Sequence, residues 1–120
     1  MNLYKLAVRL EVPYDTTSLG DEGSSSDRLT WARESKPFAF PNPILPGQDV
    51  MFRTAGAGGL VLKIDEVLHL VSNNPQESCS VLVHKKVAIS CENRVEAERV
   101  EAVLKTDYLG IIKNLDKPIS

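Results

Sequence analysis

Two cysteines, Cys79 and Cys91, are too few for a disulfide framework. No Lys/Arg run is longer than two residues, and 14 basic side chains face 16 acidic ones, for a net charge of -2. That balance lacks the basic footprint that nucleic acid or an anionic membrane surface selects. No stretch approaches the roughly 18 apolar residues of a membrane span. The opening "MNLYKLAVRLEVP" has no basic segment followed by an unbroken apolar run, so a signal peptide is not expected and the expected location is cytoplasmic. There is a single tryptophan, Trp31, and aromatic residues make up only 6% of the chain.

What the chain does have is ordinary globular composition: 42% hydrophobic, 25% charged, and 120 residues, enough for one domain spanning 1–120. Residues 3–12 alternate. Tyr4, Leu6, Val8, Leu10 and Val12 take one face, and Lys5, Ala7, Arg9 and Glu11 the other, as in a half-buried strand. Residues 13–36 show no sustained period. "GDEGSSSD" reads as a solvated loop, and prolines at 37, 41, 43 and 46 carry the chain along the surface. A long loop or insertion over 13–44 is therefore expected. Trp31, Phe38 and Phe40 fall inside it, as candidate anchors for an interface. Folding back onto the core is the readier reading for Trp31 itself.

"LPGQD" reads as a tight turn, with Gly47 taking positive φ. The glycine-rich "TAGAGG" then raises the question of a phosphate cradle. A Walker loop needs Gly-Lys-Ser/Thr before a helix, but Gly59 is followed by Leu60 and Val61 and then a strand. In a dinucleotide fingerprint Val61 would stand where the third glycine belongs. A hairpin turn explains the glycines instead. In "LVLKIDEVLHLVS" the apolar phase runs through Leu60, Leu62 and Ile64, then shifts to Val67, His69 and Val71. Such a slip predicts a β-bulge near Asp65 and Glu66. In "CSVLVHKKVAIS" the odd positions Cys79, Val81, Val83, Val87 and Ile89 suggest a core face.

The period then changes. "ENRVEAERVEAVLKTDYLGIIKNL" is rich in helix formers, with Asn93 and Glu96 as a capping pair and Val95, Val100, Val103 and Leu104 as the apolar stripe. Gly110 is expected to end or bend this helix. Together these patterns predict an α+β fold: a curved, small barrel-like antiparallel sheet of four to five strands with one main C-terminal helix. The core residues expected are Leu6, Val8, Leu10, Leu62, Ile64, Val81, Val83, Val87, Ile89, Val100, Val103 and Leu104.

Few chemical constellations stand out. His69, Cys79, His84 and Cys91 are the only histidines and cysteines, and their spacing lacks the close pairs of a zinc site. No metal or cofactor is expected, and the cysteines read as small core hydrophobes. Asp65, Glu66 and His69, near the presumed bulge, form the one candidate catalytic group. They would need a concave pocket and a raised carboxyl pKa.

From Pro46 onward, "LPGQDVMF", the glycine turn, "LVLKIDEVLHLV", a further strand and a closing helix resemble a group of short uncharacterised bacterial and phage proteins. The resemblance covers about residues 45–105. It implies a strongly curved antiparallel sheet with one helix packed on it. It carries no activity, so no catalytic residue transfers. Two readings follow: a non-catalytic module that binds a protein partner or self-associates, and a small enzyme using Asp65, Glu66 and His69.

Overall fold

The computed structural model describes residues 2–16, 26–55, 58–75 and 78–117. The chain runs β1 (Asn2–Asp15), β2 (Ser26–Glu34), β3 (Phe38–Phe40), β4 (Asp49–Arg53), β5 (Gly59–Lys63), β6 (Glu66–Leu70), β7 (Cys79–Val87) and α1 (Arg94–Leu115). The fold is α+β: a five-stranded sheet, a separate β4–β5 hairpin and one C-terminal helix.

The large sheet has the order β2-β1-β7-β6, with β3 beside β2 on the same edge of β1. It is mixed. The pairs of β1 with β2, β1 with β3 and β6 with β7 are antiparallel, whereas β1 and β7 run parallel, with Leu6 opposite Leu82. The sheet stays open, with β2 and β6 as its outer strands, and does not close into a barrel.

The expected alternation of β1 holds: Tyr4, Leu6, Val8, Leu10, Val12 and Tyr14 are all buried. Directly paired residues share a face, so the face opposite Leu6 and Val8 on β7 belongs to Leu82 and His84. The assignment of Val87 and Ile89 to the core is therefore corrected, whereas Val83 is fully buried as expected but lies with half-buried Val81 on the other face of the sheet. Leu82 is fully buried, whereas Val87 is 63% and Ile89 92% exposed. β7 lies between β1 and β6 and carries apolar residues on both faces, so parity alone selects the wrong one.

Among the described residues, the expected loop over 13–44 is largely strand. β2 continues the β1 ladder from Ala7↔Glu34 to Asp15↔Ser26. Leu29 and Trp31 pack toward the core from this strand, but charged neighbours dilute the alternation in "SDRLTWARE". Residues 17–25, which hold most of "GDEGSSSD", lie outside the described residues. Between β2 and β3 the register slips. Ser35, Lys36 and Pro37 stand opposite only Lys5 and Leu6. Such an insertion re-aims the chain. Buried Ser35 secures it: its N–H donates to the Leu6 carbonyl at 2.8 Å, its Oγ accepts from Leu6 N–H at 3.0 Å, and the hydroxyl donates to the Lys36 carbonyl at 2.9 Å.

The glycine segment, of which residues 56–57 lie outside the described residues, joins the two strands of a hairpin. β4 and β5 pair from Asp49↔Lys63 to Arg53↔Gly59, and Gly58 takes φ 99, a backbone shape costly for any other residue. Gly47 likewise takes φ 88, and Gln48 N–H closes the turn onto the Leu45 carbonyl. The hairpin lies against the helix, where Ala55 N–H donates to the Gly110 carbonyl at 2.9 Å. Gly110 therefore does not end α1. It sits inside the helix, where a Cβ would come within 3.5 Å of Thr54.

Asn93 caps α1, its side chain accepting from Glu96 N–H at 2.9 Å, as expected. The buried stripe is Ala97, Tyr108, Ile111 and Ile112, supported by half-buried Val100 and Leu104. Val95 and Val103, expected in the stripe, are 67% and 63% exposed. No helix among the described residues is long and apolar enough to cross a membrane.

Candidate functional site

The bulge expected at Asp65 and Glu66 is present. Asp65 N–H donates to the Val83 carbonyl at 2.8 Å while Glu66 is Val83's ladder partner, so two residues oppose one. Here the chain leaves one sheet for the other. Ile64 still hydrogen-bonds within the β4–β5 hairpin, through Gln48 and Gly47, and Asp65 already binds β7.

This geometry separates the three candidate catalytic residues. Asp65 accepts from the Lys85 backbone N–H at 2.7 Å, and Glu66 pairs with Lys85 Nζ at 2.9 Å. The Lys85 hydrogen bond, and then its charge, pull the Glu66 carboxyl below the ordinary value of 4.5, the opposite of what a general acid needs. His69 lies on the other face, three positions along β6, opposite Ser80. Its Nδ1 is 2.9 Å from Ser80 Oγ.

The His69–Ser80 pair lines a groove of about 550 Å³, with Tyr4, Ile44, Val67 and Leu70 among its walls. An imidazole beside a hydroxyl can take its proton, but nucleophilic catalysis also needs a group that orients the imidazole and donors for an oxyanion. Among the described residues only Ser80 hydrogen-bonds the His69 ring. No group of three or more His, Cys, Asp or Glu side chains among the described residues is placed to hold a metal ion.

A second histidine, weighed in the sequence as a metal ligand and set aside, occupies a more constrained position. His84 Nδ1 lies 2.8 Å from the Lys63 carbonyl, and Nε2 lies 3.3 Å from Tyr108 Oη. A carbonyl only accepts, so Nδ1 carries the proton and, in the neutral ring, Tyr108 donates to Nε2. Burial first, and then the charge of Asp107, push the Tyr108 phenol above its ordinary value of 10.0. His84 thus ties β7, the end of β5 and the helix together. No sequence pattern signalled this, because its partners are a backbone carbonyl and a residue 24 positions away.

The candidate interface aromatics all pack on the core and keep exposed rims. Trp31 stacks on Tyr108 with ring centroids 6.4 Å apart and planes at 17°. Phe38 meets Tyr4 at 6.2 Å and Phe52 edge-on at 6.3 Å, and Phe40 lies half-buried against the same core. Cys79 and Cys91 are buried free thiols, as expected of small core residues. Burial, and then Glu96, push the Cys91 thiol up.

The more open surface is the sheet face turned away from the helix. There the ladder brings Leu68 opposite Val81, Leu70 opposite Cys79, and Glu66 opposite Val83. Leu68 is 49% and Leu70 45% exposed, beside the Glu66–Lys85 ion pair. No partner strand among the described residues occupies the outer edge of β6. The chain matches no protein-family model, and no curated protein or solved structure is similar enough to count as a match, so the resemblance over residues 45–105 rests on its motifs alone.

Proposed function

We propose that the protein is a non-catalytic binding module that engages a protein partner through β6 and the adjoining sheet face. The supporting observation is the pairing of a strand edge free among the described residues with Leu68 and Leu70, two apolar side chains left about half exposed next to it. Backbone groups on such an edge supply affinity, and the alternate side chains supply selectivity. The half-exposed rims of Trp31, Phe38 and Phe40, at the opposite side of the sheet, offer a further contact surface. The enzyme reading loses its main support, because Asp65 and Glu66 are committed to Lys85 on one face while His69 meets Ser80 on the other.

The test is selection of extended peptides from a random library on the immobilised whole chain. The expected result is enrichment of strand-forming peptides whose binding is lost in Leu70→Lys and kept in Val95→Lys, a control on the exposed helix surface. No enrichment, or binding indifferent to Leu70→Lys, would count against the module.

A further inference from the structure

We infer that the occupant of the β6 edge is a second copy of this chain, its β6 pairing antiparallel so that two five-stranded sheets become one of ten strands. The inference rests on the binding-module reading and names its partner.

The two sides of the sheet differ in how they are defended. Exposed edges are usually blunted by charge, proline, bulges or brevity. β2 carries Asp27, Arg28, Arg33 and Glu34. β6, "EVLHL", has no proline, lysine or arginine, and its one acidic residue is already neutralised by Lys85. Its bulge lies at the start of the strand, leaving Val67 through Leu70 regular.

The strand is also complementary to itself. A two-fold axis through Leu68 sets Leu68 against its own copy, Val67 against His69, and Glu66 against Leu70. No like charges meet, and each Glu66 keeps its own Lys85. On the face away from the helix, Leu68 and Leu70 of the two copies merge into one apolar stripe that continues into Val81. An unrelated strand would need apolar residues at these positions and no opposing like charge by chance. A second copy brings it by symmetry. The contact is short beside the roughly 1,600 Å² of a standard interface, so the dimer is weak and forms only at high concentration.

The experiment uses the whole chain. Sedimentation from roughly 10 μM to 1 mM, a span of affinity that weak pairs cover, is expected to show reversible dimerisation. Leu68→Lys and Leu68→Glu are each expected to remain monomeric, with melting confirming that both fold, because each sets like charges across the axis. Mixing the two is expected to restore association. Leu68→Cys should oxidise to a covalent dimer, since facing Cα atoms lie about 4.5–5.5 Å apart, within disulfide reach. Thr30→Cys on β2 should not. A chain that stays monomeric to 1 mM overturns the inference, as does a dimer indifferent to both Leu68 charges. If peptide selection succeeds in either case, only the identity of the partner has failed. If it also fails, the module reading fails with it.

Discussion

The two faces of the large sheet are made from the same strands and similar side chains, yet they do different work. On one, Leu6, Val8, Leu10 and Leu82 are sealed under the helix and the hairpin. On the other, Ala7 and Val83 are buried too, but they stand in rows with Arg9, Lys85 and Glu66, and beside them Leu68, Leu70 and Val87 meet solvent. Burial of a residue therefore does not reveal which layer it belongs to. What separates the faces is whether a second layer continues the packing. Among the described residues only the first face has one, and only there should truncation leave a closed cavity.

The sharpest break of this comparison is Leu82→Ala. It removes a fully buried side chain between two layers and is expected to cost about 2–5 kcal/mol by chemical denaturation. Trp31→Ala, half-buried against Tyr108, should cost about 2 kcal/mol, less than a fully buried aromatic would. A monomer that melts unchanged but associates less would instead return Trp31 to an interface role. Tyr108→Phe keeps the ring and removes the hydroxyl that meets His84. About 1 kcal/mol is expected. The same phenol carries a pH signature. Its folded pKa is raised, so its contribution is complete below pH 10.0 and declines as pH rises through the higher folded value, which melting across that range would reveal. On the open face, Val87→Ala should stay within about 0.5 kcal/mol. Smallest of all is the Glu66–Lys85 pair. The Glu66 pKa is lowered, so the contribution is present above pH 4.5 and fades as pH falls through the folded value. Comparing the acid side of the stability profile with that of Glu66→Gln tests this, and salt should weaken the effect.

Much of this architecture is legible in the chain, and the failures share a cause. The clean alternation of residues 3–12 places β1 correctly because one of its faces is far more polar than the other. The phase slip at Asp65 and Glu66 reveals the bulge because adding one residue to a period of two inverts every side chain beyond it. The glycines of 56–59 mark a turn because only a hairpin, and no helix, follows. Where a strand is apolar on both sides, as in β7, parity chooses the face by counting valines, and Leu82 and His84 are missed. Where the strand is charged, as in β2, alternation fades into the look of a loop. The helix stripe was legible at Val100 and Leu104, but Val95 and Val103 mislead because the tightest packing falls in the second half, around Tyr108 and Ile111. The candidate site fared worst. His69 finds Ser80, and His84 finds Tyr108 and a carbonyl, by pairings of strands and helix that local pattern does not encode.

The parallel pairing of β1 with β7 has a consequence in time. Tyr4 faces Ser80, 76 positions later by their numbers (80 − 4), so the longest strand gains its inner neighbour only after most of the chain exists. During synthesis β1 and β2 can meet early, because their ladder closes around the nearby residues 16–25. The apolar side of that ribbon then waits, uncovered, for β7 and for the helix that follows it. Contacts so distant in sequence slow folding relative to local ones, and the interval before β7 arrives is when this chain is most prone to aggregate.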